Sequence, residues 1–149
     1  FVFIITIIIF CLDRYSKNQI IYNYAENTVF VNKFINLELI WNTGIGFGLL
    51  STNSSLIYNL VTTLIGAIIS ILVFFSFTKD KTEKFIFWII IGGAAGNFYD
   101  RLVFQAVPDF IDLHFNNFHW FTFNVADVFI SIGIIAFILR GFSVKSSNE

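Results

Sequence analysis

From Leu39 to Thr78 the chain carries no charged side chain, a gap bounded by Glu38 and Lys79. A run of that length constrains the fold more than any motif. A helix rising 1.5 Å per residue needs about 20 apolar residues to cross a hydrocarbon core about 30 Å thick. The cleanest such segment is about Leu56–Phe77, and three others stand beside it at about Phe1–Tyr24, Phe85–Phe104 and Asn124–Phe142. The composition agrees. Charged residues make up 13% and hydrophobic residues 56% of the chain, against about 25% and about 45–50% in an ordinary soluble domain. Too little polar surface remains to cover a water-soluble globule. The expectation is an all-α membrane protein of four transmembrane helices, residues 1–149 forming one domain.

The net charge of -1, without any basic stripe or block, gives no footprint for nucleic acid. Cys11 is the only cysteine, so no disulfide is possible within the chain, and in its apolar stretch it is expected to be a small buried side chain. The first segment, FVFIITIIIFCL, has neither a basic leading region nor a small-residue cleavage site. It reads as a retained helix rather than a signal peptide.

Lys79, Lys81 and Lys84 lie between the second and third segments, and Arg140 and Lys145 follow the fourth. The positive-inside rule places both sites, and with them both termini, in the cytoplasm. The other two connections then face outward, although Arg14, Lys17, Lys33 and Arg101 fall on that side. In the first outer connection NLELIW alternates, with Leu37, Leu39 and Trp41 on one face, and Val29–Val31 is rich in β-formers. A hairpin or small sheet is expected there. The second, QAVPDFIDLHFNNFHWFTF, is aromatic and weakly polar, suited to the membrane interface. Pro108 predicts an extended path through it.

Charges at membrane depth cost about 2.5–3.5 kcal/mol each on insertion scales, so each needs a reason. Asp13 and Lys17 are four apart and can pair on one helical face. Asn42 and Gly44 belong to WNTGIGFG, a glycine-rich turn ahead of the second helix. In GGAAGNFYDR, Gly92 and Gly96 allow a neighbouring helix to approach closely, and Asn97, Asp100 and Arg101 share a face. Asp109 and Asp112 follow in VPDFID, and Asn124 and Asp127 are three apart at the start of the fourth segment. Each has an ordinary structural explanation: a packing cluster, a solvated loop acid, a first-turn acid favoured by the helix dipole.

Together they say more. Asp100, Asp109 and Asp127 all fall at the same membrane edge under this topology. Two carboxylates that approach closely share a proton, so one can serve as base toward water while the other donates to a scissile carbonyl. The residues alone leave open whether Asp100 or Asp109 partners Asp127. His114 and His119 are five apart without an HExxH-type pattern, so no metal is expected. No GxSxG elbow, P-loop or dinucleotide fingerprint occurs. The uncharged middles of all four segments count against a proton-relaying transporter. A non-enzymatic assembly factor, with polar residues as packing glue, is the other alternative.

At these residues the chain resembles the bacterial lipoprotein signal peptidases (signal peptidase II). The likeness runs through LDRYSK at Leu12–Lys17, NTGIGF at Asn42–Phe47, GGAAGNFYDR at Gly92–Arg101, VPDFI at Val107–Ile111 and FNVAD at Phe123–Asp127. The resemblance implies a four-helix inner-membrane enzyme with a small extracytoplasmic β-element. It implies cleavage of prolipoproteins before a diacylglyceryl-modified cysteine, with membrane lipids around the substrate and no cofactor; it does not imply an oligomer. By motif position it puts the catalytic dyad on Asp109 and Asp127. Asp13, Lys17, Asn42, Gly44, Asn97, Asp100, Arg101 and Asn124 become supporting or substrate-binding residues. Three positions depart from the family pattern. Gly46 stands where a slightly larger residue is commoner, Pro108 replaces an aliphatic residue, and Gln105 holds a place often occupied by glycine.

Overall fold

A computed structural model describes residues 2–44 and 54–146. The chain runs α1 (Val2–Asn23), β1 (Val29–Asn32), β2 (Ile35–Asn42), α2 (Ser55–Ser76), α3 (Lys81–Phe104), β3 (Val107–Phe115), β4 (Phe118–Phe123) and α4 (Val125–Ser146). Four long helices therefore stand where the sequence predicts four spans. Two boundaries move. α3 starts four residues early because Asp80 caps it, its Oδ1 accepting from the backbone N–H of Thr82 at 2.8 Å and of Glu83 at 2.9 Å. α4 continues four residues beyond Phe142.

The β-element is larger than a hairpin. Both connections at one end of the bundle join one antiparallel sheet in the order β1-β2-β3-β4, so the all-α label gives way to a helical bundle with a four-stranded sheet. Asn32 turns the chain between β1 and β2, its Oδ1 accepting from Phe34 N–H at 2.8 Å and Ile35 N–H at 3.1 Å. Pro108 pairs with Trp41 on β2, whereas the register with β4 begins only at Ile111. It thus sits where β3 has a neighbour on one side, a place that tolerates a missing N–H. Gln105, the departure from glycine, ends α3 in the left-handed region at φ 55°, the conformation for which glycine is the usual choice.

α3 is the central helix and packs on α1, α2 and α4. Gly92 and Gly96 open it to α1. A Cβ at Gly92 would lie 3.0 Å from Ile9 Cβ, and one at Gly96 would lie 2.5 Å from Asp13 Oδ2. At the far end from the sheet, Phe87, Trp88 and Ile91 form an apolar core with Val2, Ile5, Ile69, Leu72 and Val73 around it.

The outward faces reverse the pattern of a soluble domain. Phe3, Ile7, Leu60, Leu64, Phe74, Ile135 and Phe142 are exposed, whereas Asp13, Lys17, Asp100 and Asn124 are fully or almost fully buried. α2 and residues 125–142 are long and apolar enough to cross a membrane, and only 11% and 17% of their windows are buried. A soluble core helix would be mostly covered; these helices turn apolar side chains outward over a large area, which suits lipid. Cys11 follows that rule and is exposed, contrary to the expectation of burial. The inward face of α1 is set by Ile9, Asp13, Lys17 and Ile20, and Cys11 lies off it.

Candidate active site

The ends of α1 and α3, the start of α4 and the near edge of the sheet converge on a buried polar cluster. Lys17 is its hub. Its Nζ donates to Asp13 Oδ2 at 2.7 Å, Asn97 Oδ1 at 2.8 Å and Asp100 Oδ2 at 2.7 Å. The ammonium's three donors are thus all used. The predicted Asp13–Lys17 pair forms, and it also ties α1 to α3. The other oxygen of Asp13 accepts from the Ala126 backbone N–H at 3.0 Å, which adds the first turn of α4 to the network. Asp100 Oδ1 is taken by Arg14.

Asp127 is held by its own helix start. Asn124 caps α4, its Oδ1 accepting from the Asp127 N–H at 3.0 Å, while Asp127 Oδ2 accepts from the Asn124 N–H at 3.3 Å. This is the reciprocal arrangement of a capping box, with aspartate in the third position. The other oxygen, Oδ1, accepts from Asn97 Nδ2 at 2.8 Å. Asn97 therefore binds Lys17 through its carbonyl and Asp127 through its amide.

Asp109 enters from β3. Its Oδ2 accepts from Asn42 Nδ2 at 2.8 Å and its Oδ1 from Asn124 Nδ2 at 2.6 Å. One asparagine thus touches both carboxylates, with its side-chain amide on Asp109 and its backbone N–H on Asp127. Both carboxylates are buried. Burial first, and the nearby charge of Asp127 second, push Asp109 up to about 6, against the hydrogen bonds from Asn42 and Asn124 and the field of Lys17.

Asp100 and Asp109 differ in their partners. Both oxygens of Asp100 face cations, whereas Asp109 shares Asn124 with Asp127. Asn42 also orders its own turn, since its Oδ1 accepts from the Gly44 N–H at 2.8 Å. Arg101 reaches that turn from α3, donating from Nη2 to the Gly44 carbonyl at 2.7 Å and from Nη1 to the Asn97 carbonyl at 3.1 Å. Ile45, Gly46, Phe47 and Gly48, the rest of the glycine-rich motif, lie outside the described residues. Asp112 points away from the cluster, toward His114 and His119.

Two members were not singled out from the sequence. On sequence Arg14 is only one of the charges on the outer side. Tyr58, on α2, donates to the Arg101 carbonyl at 3.0 Å. A charge next to Asp13 in an apolar segment was the available signal for the first. Nothing in the sequence marks the second.

The cluster contains four carboxylates, Asp13, Asp100, Asp109 and Asp127, and three cations, Arg14, Lys17 and Arg101, all buried or nearly so. One negative charge is left over among these described residues. A single proton shared near Asp109 and Asp127 would neutralise it, which buried carboxylates favour.

The family model for signal peptidase (SPase) II matches residues 5–143. The chain is 48% identical to a lipoprotein signal peptidase of Pelagibacter ubique, over 98% of this chain and 91% of that one. It is 39% identical to the lipoprotein signal peptidase of Anaplasma marginale, over 89% and 78% of the two chains. Its fold superposes on a bacterial membrane enzyme solved by the in meso method at 2.3 Å resolution, with a TM-score of 0.82 and 27% identity over 99% of this chain and 91% of that one. A second bacterial membrane enzyme gives 0.74 and 28%, over 93% and 90%. With its apolar exterior and these matches over nearly its whole length, the chain belongs to the signal peptidase II family.

Proposed function

We propose that this chain is a membrane-embedded aspartic endopeptidase that removes signal peptides from prolipoproteins, cleaving before the diacylglyceryl-modified cysteine. The observation that carries the reading is the shared asparagine. Asp109 and Asp127 come from separate elements, both are buried, and Asn124 bonds to each. The relatives' description as lipoprotein signal peptidases supplies the substrate class.

The chemistry uses the surplus proton. The ionised carboxylate of the pair takes a proton from water as its oxygen attacks the carbonyl carbon of the residue before the cysteine. The protonated carboxyl donates to the carbonyl oxygen, giving a neutral tetrahedral diol. Transfer of a proton to the leaving nitrogen then breaks the C–N bond. It releases the signal peptide as a carboxylic acid and the lipoprotein with a free cysteine amine. Both acid and base are side chains of the protein, and the steps call for no metal. Lys17, Asn97, Asn42 and Asn124 are positioning residues that fix the two carboxyl groups, and Asp13, Asp100 and Arg101 fix those in turn.

A groove of about 270 Å³ with Asp127 in its wall is otherwise lined mainly by Phe121, Phe123, Val128, Ile132 and Ile135. Its apolar lining suits a lipid chain or the apolar signal segment. Binding energy from such a non-reacting part would orient the scissile bond. The polar cluster lies at the sheet end of the bundle, and Lys79, Lys81, Lys84 and Arg140 at the other. That supports four spans in the bacterial inner membrane, with both termini cytoplasmic and the site toward the outer leaflet. Residues 1–149 then act as one integral membrane domain.

Prolipoprotein processing in detergent tests the dyad. Asp109→Asn and Asp127→Asn should each lower turnover at least about 100-fold, with the protein still folded by its thermal midpoint. Turnover at the wild-type rate in either variant overturns the assignment and favours a non-enzymatic role.

A further inference from the structure

Along the chain His114 and His119 offer no ligand spacing within one element. The sheet changes this. The two residues lie on different strands and face each other in register, His114 on β3 and His119 on β4. Asp112 is two residues before His114, so the pleat turns both to one side of β3. Asp112 Oδ2 lies 2.7 Å from His119 Nδ1 and 3.5 Å from His114 Nδ1. One donor atom from each of the three falls within 4.8 Å of the others. The imidazole rings stack with centroids 5.3 Å apart.

A plain Asp112–His119 ion pair would account for two of these side chains but not for the third. His114 is 6% exposed, and its Nδ1 has no hydrogen-bond partner among the described residues. An unsatisfied buried nitrogen of that kind costs about 1–3 kcal/mol. A cation bound by all three would satisfy it.

We propose that Asp112, His114 and His119 form a binding site for a divalent transition metal of the zinc class, which clamps β3 to β4. Two imidazoles and one carboxylate are a borderline-soft donor set, suited to zinc rather than to calcium or magnesium. Tetrahedral zinc with bonds of about 2.0–2.1 Å wants its donors about 3.3 Å apart. Asp112 Oδ2 and His119 Nδ1, 2.7 Å apart, would part a little to admit the cation, and the His119 side chain is 54% exposed to solvent. A fourth position is left for water. The site lies on the strand that carries Asp109, three residues before Asp112, so the clamp would stiffen the segment that presents that carboxylate. It takes no part in the proposed hydrolysis.

The test uses the full chain without an affinity tag, stripped with a chelator and titrated in detergent with Co²⁺. Protein-bound Co²⁺ of low coordination number shows visible absorption bands. The expected result is one equivalent bound per chain, bands that Zn²⁺ abolishes, and a higher thermal midpoint with metal. His119→Ala, a change at an exposed side chain, should weaken binding by at least about tenfold, and His114→Gln should do the same. Absence of saturable binding below millimolar Co²⁺ overturns the proposal. So does undiminished affinity in His119→Ala, which would put the metal elsewhere. Because binding is read separately from turnover, failure here leaves the Asp109–Asp127 reading standing.

Discussion

Near its start, α3 buries Phe87, Trp88 and Ile91 among aliphatic neighbours; near its end, it buries Asn97, Asp100 and Arg101 among carboxylates and a lysine. One helix thus serves two kinds of interior. The first kind is held by shape. In lipid the outside is as apolar as the inside, so burial adds little and close packing decides. The second kind is held by matched charge, and every member constrains the next. The difference teaches where this fold stores its specificity. Apolar contacts set which helices touch, and the ionic network sets their depth and rotation against one another.

The sharpest way to break that contrast is to remove the hub. Lys17→Met keeps the length of the side chain and leaves Asp13 and Asp100 without their shared cation. It should destabilise the protein by about 3–5 kcal/mol, read as a fall in thermal midpoint in detergent. A midpoint within a degree of wild type would mean the network is not what holds this end together.

A milder probe adds one methyl group. Gly96→Ala places a carbon 2.5 Å from Asp13 Oδ2, and the displaced carboxylate should cost about 1–3 kcal/mol. At Gly141 a Cβ meets nothing within 4 Å. There the same change should be neutral or stabilising, since alanine is the better helix former. Equal effects at the two glycines would erase the distinction between the regions.

The polar end also carries a proton dependence. Asp109 is raised to about 6 in the folded protein, above its value of about 3.9 in an unfolded chain. The folded state therefore holds the extra proton. This contribution to stability is fully present below about pH 4 and is lost as pH rises through about 6. Turnover should follow on its alkaline side, falling up to about tenfold per pH unit above about 6 as the shared proton leaves. A pH–rate profile flat from 5 to 8 would contradict a shared-proton pair. The smallest change lies at the joint between helix and sheet. Gln105→Gly relieves a left-handed residue and should stabilise by about 1 kcal/mol without altering turnover, measured as a rise in midpoint.

Much of this was legible in the residues themselves. Uncharged length locates the four helices, alternation locates β2, and spacing within single elements gives the Asp13–Lys17 pair and sets Asn124 near Asp127 at a helix start, though not as a reciprocal cap. What escaped depended on contacts between segments far apart in sequence. Asp100 and Asp109 looked equivalent because nothing local says that Arg14 and Lys17, more than 80 residues earlier, occupy the first and not the second. Cys11 escapes because the first turns of α1, ahead of Asp13, are apolar all round, so hydrophobicity there does not distinguish lipid from core. The facing histidines were missed because their meeting depends on a strand register and a turn at Asn116, not on a spacing.

Asn124 leaves one further consequence. Its amide has a direction: the NH₂ end meets Asp109 and the oxygen meets the Asp127 backbone. Rotating that group by half a turn would set oxygen against carboxylate at one side and hydrogen against hydrogen at the other. The strand and the helix are therefore keyed to a single relative placement, like two parts located by one asymmetric pin. Any motion that admits a peptide must either carry β3 and α4 together or first withdraw the pin.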